Sequence, residues 1–177
     1  MRTSVIIAVS AFAAFASCKK IDKLTEFDMP YETSVTIPSS VGMQVPFTFP
    51  TPDVASHAEE TFSVNDTRKD KIEEIHLTEL RLSISKPANG DFSFLKDVEL
   101  YLAADGLSDQ KVAWKFNIPA NPGNTLYLET TDADLQAFVK KDTFKIKVDV
   151  VTDEVITQDY TIQVNAKFHV NARVLGI

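Results

Sequence analysis

Apolar and polar residues alternate along the C-terminal part of the chain. From Tyr160 to Val174 every second residue is apolar or aromatic, and the residues between them are polar or charged. Eight successive matches to a period of two fit a β-strand and exclude an α-helix, whose period is 3.6. We predict one long strand, or two strands joined at a bend, with one face buried.

The same alternation recurs in shorter segments, which glycine-containing turns around Gly90, Gly106 and Gly123 separate. One polar face on every strand is typical of antiparallel sheets. The fold class predicted from this pattern is all-β, an antiparallel two-sheet sandwich. The residues predicted to face the core are Leu80, Leu82, Ile84, Val98, Leu100, Leu102, Val112, Trp114, Phe116, Ile118, Leu126, Leu128, Phe144, Ile146, Val148 and Val150.

One short helix is predicted near residues 132–140. Thr131 is its expected N-cap, and Asp134 follows three residues later as in a capping box. Three apolar residues at helical spacing, Leu135, Phe138 and Val139, form its buried stripe.

The segment before the main sandwich has a different composition. Five of the eight prolines lie between residues 19 and 70, and alternation there is limited to the short runs SVTI, FTF and FSV. Because proline confines strands to sheet edges, we predict that residues 31–70 form edge strands on a main sandwich of residues 71–177. A separate small domain at 31–70 is the alternative.

The N-terminus has the order of an export signal. Arg2 precedes an apolar run from Val5 to Phe15, which is followed by the small residues Ala16 and Ser17. The run is shorter than the roughly 20 residues that a transmembrane helix needs. We therefore predict that residues 1–17 are a signal peptide.

The residues Phe15-Ala16-Ser17-Cys18 resemble the lipobox of bacterial lipoproteins, and Cys18 is the only cysteine of the chain. The resemblance implies a diacylglycerol and an N-acyl chain on Cys18. From the composition of the segment that follows, we predict that residues 18–30 are a lipidated tether. Several acyl chains make a firm membrane anchor. The alternative is ordinary secretion after cleavage at Ala16, which would leave a free thiol. Lys19 stands where the enterobacterial inner-membrane sorting signal has aspartate, so the resemblance implies the outer membrane.

Residues 72–174 also resemble immunoglobulin and fibronectin type III sandwiches, and the water-stress domain of late-embryogenesis proteins, in strand spacing and in the late helix. This resemblance implies an immunoglobulin-like fold. Fold alone does not assign a function.

The chain is acidic, with a net charge of −7. Removal of residues 1–17 takes away Arg2 and no acid, so the charge becomes about −8. An acidic domain repels phosphate backbones, and we expect no nucleic acid partner.

Motifs for catalysis or cofactor binding are missing from the sequence. Five glycines form no phosphate-binding loop, and no Gly-x-Ser-x-Gly motif occurs. The histidines His57, His76 and His169 are far apart in sequence, so we predict solvent-facing side chains and not zinc ligands. We expect no enzyme activity and no cofactor beyond the lipid on Cys18.

Two pairs of residues remain as candidates for binding. Asp105 and Asp109 share a turn and are weak calcium candidates, although turn chemistry explains both aspartates. Tyr101 and Tyr127 are out of phase with their apolar neighbours and, if exposed, would offer aromatic platforms for a sugar or a protein. The favoured interpretation is that the N-terminal segment or the helix covers them.

These observations favour a non-enzymatic, lipid-anchored envelope protein that acts as a structural or accessory interaction module, with an envelope protein as a partner. The alternative is a lipoprotein that captures a glycan or a small apolar molecule. A flat exposed patch would favour the first function, and an aromatic cleft the second.

Overall fold

The computed structural model describes residues 26–39 and 46–173. It is an all-β antiparallel sandwich of two sheets, which confirms the predicted fold class. Sheet A has the strand order β1-β10-β4-β7, and sheet B has the order β2-β9-β5-β6-β8, with β3 also paired to β9. The strands are β1 (Glu26–Ile37), β2 (Phe47–Pro50), β3 (Val54–Ala55), β4 (Ile72–Lys86), β5 (Leu95–Ala103), β6 (Gln110–Lys115), β7 (Thr125–Tyr127), β8 (Glu129–Thr130), β9 (Thr143–Thr152) and β10 (Tyr160–Ala172).

The long C-terminal alternation is the strand β10. Its residues from Ile162 to Ala172 alternate between buried and more exposed positions, as predicted. Val174 lies outside the described residues. β10 pairs with β1 on one side and with β4 on the other, so it is a central strand of sheet A. Its alternating apolar residues therefore supply one wall of the core.

Aromatic rings from the two sheets pack against one another inside the core. Phe168 of β10 is 1% exposed and lies 6.2 Å, ring centre to ring centre, from Phe144 of β9. Tyr31 of β1 contacts both rings edge to face, at 5.2 Å from Phe144 and 5.6 Å from Phe168. The Tyr31 hydroxyl donates a hydrogen bond to the Ser56 carbonyl at 2.5 Å, and its burial raises the tyrosine pKa. A polar tip that finds a backbone acceptor is how a tyrosine is accommodated in a core.

β4 keeps its apolar residues on the core side by means of bulges. Leu77 and Leu80 are both buried although they are three positions apart, an odd number. The pairing with β10 shifts there, since Phe168 lies opposite Leu77 and Lys167 opposite Glu79. Thr78 is therefore an extra residue that resets the phase of the strand.

The proline-rich segment supplies an edge strand to each sheet. β1 is the edge of sheet A and contains Pro30, and β2 is the edge of sheet B and ends at Pro50. β1 begins at Glu26, so the range expected as tether is too long by its last five residues. β1 pairs with β10 along its whole length, which joins this segment to the main sandwich.

The prediction for the run FSV was wrong, because it lies in a helix. Helix α1 (Ala58–Val64) buries Ala58 and Phe62, which are one turn apart, and leaves Val64 exposed. In so short a helix, the sequence pattern consists only of these two apolar residues at i, i+4 spacing. A 3₁₀ turn, Lys69–Lys71, then leads into β4.

The predicted helix near 132–140 is much shorter than expected. Helix α2 spans Gln136–Val139, and Leu135 is its N-cap. The Thr131 hydroxyl accepts a hydrogen bond from the Ala133 N–H, which makes a local turn instead of a cap. Asp134 accepts hydrogen bonds from the N–H groups of Gln136 at 3.0 Å and Ile75 at 3.1 Å. The loop is thus held against β4, and the apolar stripe is buried as predicted.

Candidate functional site

The two tyrosines proposed as platforms lie on different sheets. Tyr127 is on β7 of sheet A and is 59% exposed, so the expectation that other segments cover it is wrong. Tyr101 is on β5 of sheet B and is only partly exposed. The fold therefore does not bring Tyr101 and Tyr127 together into one site.

Tyr101 belongs instead to a network on the outer face of sheet B. Its hydroxyl lies 3.3 Å from Glu99, and the other carboxylate oxygen of Glu99 pairs with Lys111 at 3.0 Å. The Lys111 ammonium lies 5.6 Å from the centre of the Trp114 ring. The Trp114 indole N–H donates to Glu129 at 2.9 Å. We call these five residues the outer-face cluster.

The electrostatics of the outer-face cluster follow from the central carboxylate. Partial burial and the negative charge of Glu99 raise the pKa of the Tyr101 hydroxyl. The hydrogen bond to Glu99 and its charge raise the pKa of Lys111. Near neutral pH the tyrosine is therefore neutral and the lysine is charged, so the cluster offers hydrogen-bond donors and acceptors beside an aromatic surface.

Trp114 was predicted to face the core, and a bulge places it on the outer face. Leu100 pairs with Ala113 and Tyr101 pairs with Lys111, so Val112 is an extra residue in β6. Val112 and Ala113 are both buried, and every later residue of β6 changes face. Trp114 consequently lies opposite Glu99. The sequence alternates without interruption here, so it contains no sign of the bulge.

Phe116 follows the same change of phase. It was predicted to be buried and is 48% exposed, whereas Ile118, predicted with it, is buried. Asn117 adopts a positive φ of 52°, and its N–H donates to Asp97 at 2.8 Å. This turn leaves the Phe116 ring exposed just after the end of β6.

Carboxylates flank the aromatic residues across sheet B. Asp149 of β9, Glu99 of β5, Trp114 of β6 and Glu129 of β8 are successive cross-strand partners. Asp149 and Glu99 are directly opposite each other, and like charges in such pairs are destabilising. Within the described residues, Oδ1 of Asp149 is buried and accepts no hydrogen bond. The Lys111 ammonium offsets the charge of Glu99 in this row.

The calcium candidates lie in an open cleft at the end of sheet B where β5 ends and β9 begins. The cleft has a volume of about 540 Å³, and its walls include Asp105 and Asp109. The Lys147 ammonium forms an ion pair with the Asp109 carboxylate at 2.5 Å, and Lys145 pairs with Asp53 at 3.5 Å. The negative charges of the cleft are therefore largely balanced by lysines of the protein. Across residues 26–39 and 46–173, no three His, Cys, Asp or Glu side chains are arranged to hold a metal ion.

Two of the three histidines are neighbours in space. His76 of β4 is the cross-strand partner of His169 of β10, on the outer face of sheet A. Both side chains are partly exposed, at 34% and 37%, and His57 is 70% exposed at the start of α1. All three thus face solvent to some degree, but the sequence separation of 93 positions concealed the cross-strand pairing of two of them.

The lipid site lies outside the described part of the chain. Cys18 and the signal-like segment precede Glu26, where the description begins. Among the residues described, no helix is both long enough and apolar enough to cross a membrane.

Comparisons with known proteins add no functional information. No family model matches the chain, and no curated protein matches its sequence. One solved structure with some likeness is titled Desmodium yellow mottle tymovirus, at 8% identity and a TM-score of 0.27, over 86% of this chain and 85% of that chain. A likeness this weak supports no argument, so the function must be argued from the site.

Proposed function

We propose that this protein is a non-enzymatic, lipid-anchored binding module of the cell envelope, and that the outer face of sheet B is its contact surface. The anchor would be Cys18, as the lipobox-like residues imply. Only seven residues separate Cys18 from Glu26, the first residue of β1. Seven residues reach at most about 25 Å, so the sandwich would stay close to the membrane.

The outer-face cluster is the observation that carries the proposal. It combines a partly exposed tryptophan and tyrosine with carboxylates on the outer face of one sheet. Tryptophan and tyrosine are enriched among residues that dominate protein interfaces, because they bury a large area at a small cost in side-chain entropy. The outer face of a sheet fits a protein surface better than it fits a small molecule, which binds in a concave pocket.

The chemistry of the row indicates what the partner offers. Glu99 and Glu129 accept hydrogen bonds, and the three carboxylates of the row attract cations. Lys111 already lies over the Trp114 ring. A partner that presents arginine, lysine or other donors could take the same place, by stacking on the ring and pairing with the carboxylates. We therefore propose an envelope protein with a basic contact segment.

Capture of a small apolar molecule has less support. The three clefts described in the structure are open and lined largely by charged residues, and the buried apolar side chains of both sheets form one continuous core. Apolar ligands bind in concave, mainly apolar pockets. A glycan could still use Trp114 and Tyr101 as flat stacking surfaces, and it is the alternative that the test must separate.

The test is photo-crosslinking in the producing cell. A photoreactive phenylalanine analogue replaces Trp114 in one strain and Tyr127 in another, because Tyr127 is an exposed aromatic residue on the opposite sheet. We expect one discrete protein adduct from position 114, none from position 127, and loss of the adduct when Lys111 and Glu99 are both replaced by alanine. Equal adducts from both positions, or none from position 114, would refute the contact surface.

The glycan alternative is tested with insoluble envelope polysaccharide. Sedimentation of the purified protein with the polysaccharide, abolished by Trp114→Ala and retained in Tyr127→Ala, would establish glycan binding and displace a protein partner as the primary function. If neither the parent protein nor Tyr127→Ala sediments with the polysaccharide, the glycan alternative is refuted. The crosslinking result then decides the protein-partner proposal.

A further inference from the structure

Arg81 is a cation without an anion on the outer face of sheet A. Its side chain is half-buried on β4, an inner strand, and within the described part of the chain it forms no ion pair with a carboxylate. Its Nη2 donates to Oδ1 of Asn165 at 3.3 Å, and its Nε is buried with no acceptor among the described residues. A buried donor that lacks an acceptor is rare in folded proteins, so it indicates an acceptor that the described chain does not contain.

The acids nearest to Arg81 do not supply this acceptor. Glu32 belongs to the same cross-strand row but lies two strands away, with β10 between them. Glu79 is on the same strand and pairs with Lys167 at 4.0 Å. The undescribed residues contain a single acid, Asp22, which precedes β1, and β1 begins six residues, or about 20 Å, from the row of Arg81. A ligand can therefore supply the acceptor that the chain does not.

Tyr127 of β7 is the cross-strand partner of Arg81 and adds an aromatic surface to the same row. It is 59% exposed. A ring this exposed beside an unpaired guanidinium offers one apolar surface and one positive charge to the same ligand. Because direct cross-strand partners have Cβ atoms about 4.5 to 5.5 Å apart, a ligand of a single ring can reach both side chains.

The next row on this face consists of neutral hydrogen-bonding side chains. It runs through four successive cross-strand partners, Ser34, Gln163, Ser83 and Thr125. Two residues along a strand span about 7 Å, so this row lies beside the row of Arg81. Hydroxyl and amide groups both donate and accept hydrogen bonds, and they suit a ligand with several hydroxyls.

We propose that this face of sheet A binds a sugar that carries a carboxylate, such as a uronic acid. The Arg81 guanidinium pairs with the carboxylate, since its planar fork of donors matches the two carboxylate oxygens. The sugar ring packs on Tyr127, and Gln163 and Ser83 form hydrogen bonds with its hydroxyls. The site lies on the sheet opposite to the outer-face cluster, so it is additional to the proposed function and does not depend on it.

A protein partner fits this face less well than a sugar. The centres of protein interfaces are enriched in aromatic and apolar residues, whereas Tyr127 is the single aromatic residue of these two rows. A long polyanion also fits poorly, because Glu32 and the net charge of −7 repel it. The ligand is therefore a short acidic sugar with few carboxylates.

The experiment is calorimetric titration of the full chain with digalacturonic acid at pH 7.5 and low salt. Every sample carries Cys18→Ser, so that neither an acyl chain nor a thiol interferes. We expect one saturable site, with an affinity at least about tenfold lower in Arg81→Ala and about fivefold lower in Tyr127→Ala. Arg81→Lys should also weaken binding, because an ammonium keeps the charge but loses the fork of donors.

Two controls separate this site from general effects. Trp114→Ala changes the opposite sheet and should bind the disaccharide as the parent chain does. The dimethyl ester of the disaccharide keeps both rings and loses both charges, so the parent chain should bind it at least about tenfold more weakly. The second control needs no variant, so its result does not depend on how a variant folds. A failure of this site would leave the crosslinking from position 114 unaffected.

Nuclear magnetic resonance locates the ligand. On titration, the Arg81 Nε–H and the Tyr127 ring resonances should shift along one saturation curve, while the indole N–H of Trp114, the only tryptophan, stays unchanged. Equal binding of the acid and the ester, equal affinity in Arg81→Ala and Trp114→Ala, or the absence of a saturable site would overturn the proposal. Tighter binding of a triglutamate peptide than of the disaccharide would also overturn it, and would assign this face to a protein partner.

Discussion

Trp114 lies directly opposite Glu99 on the outer face of sheet B, and its indole N–H donates to Glu129 at 2.9 Å. The bulge at Val112 makes this arrangement possible, because it lets two consecutive residues, Val112 and Ala113, face the core. A tryptophan that fits the core pattern of the sequence thereby becomes part of the surface.

The position of Trp114 can be tested by mutation. Trp114→Ala should lower the free energy of unfolding by about 1 kcal/mol, since an exposed cation–π contact contributes roughly 0.5 to 1 kcal/mol. Ala113→Leu should cost about 1 to 3 kcal/mol, because Ala113 is fully buried and a larger side chain overpacks the core. Urea denaturation measures both. A loss of about 3 to 5 kcal/mol in Trp114→Ala would place the indole in the core instead.

Phe168 and Lys167 form a matched pair on β10. Phe168→Ala should destabilise the protein by about 3 to 5 kcal/mol, since this ring is buried between Tyr31 and Phe144. Lys167→Ala should change stability by about 0.5 kcal/mol or less. The lysine is 45% exposed, and its ion pair with Glu79 is long, at 4.0 Å, and exposed to solvent. Equal losses in chemical denaturation would mean that the phase of β10 is wrong.

Cys18 gives the prediction for the anchor. The protein should incorporate labelled palmitate and partition into detergent, and Cys18→Ser should abolish both. Ser17→Ala is the control, because it keeps a small residue before the cysteine and should leave lipidation intact. Recovery of an unlabelled, soluble chain that begins at Ser17 would show ordinary secretion.

Asp134 should make stability depend on pH in the acidic range. Partial burial acts to raise the pKa of this carboxyl, but hydrogen bonds from Gln136 and from the Ile75 N–H lower it below the usual value. The charged form is therefore favoured in the folded state, so its contribution is present above the unfolded pKa of 3.8 and disappears as the pH falls through the folded pKa.

Asp134→Ala should accordingly destabilise the protein at pH 7 by about 1 to 3 kcal/mol, because it removes the acceptor of two backbone N–H groups, and by less at pH 2. Thermal unfolding at both pH values measures the difference. Asp132→Ala, which removes an exposed neighbouring carboxyl, is the control and should have little effect at either pH. A difference that stays constant with pH would contradict the role of the charge.

Excess calcium should not raise the melting temperature. Asp105 and Asp109 offer few oxygen ligands, and Lys147 already pairs with Asp109. A ligand at 100 times its dissociation constant would add about 2.7 kcal/mol, which thermal unfolding with calcium or with a chelator would detect. A clear increase that Asp105→Asn removes would establish a calcium site in the cleft.

The sequence by itself determined the strands in which every second residue is buried without interruption. β10 and β9 follow from strict alternation, because a strand that packs one face on a core must bury every second residue. The edge positions of β1 and β2 follow from their prolines, which cannot donate hydrogen bonds to a neighbouring strand. The two-turn helix α1 was missed, since two buried residues are too few to establish a helical period.

Only the tertiary structure decided which side chains share a surface. The single extra residue Val112 places Trp114 on the outer face beside Glu99, and the alternation of apolar and polar residues does not predict this bulge. Tyr101 and Tyr127, similar in sequence context, were separated onto two sheets. His76 and His169 became neighbours through the register of β4 with β10, which depends on pairing between strands 93 positions apart and not on the local sequence.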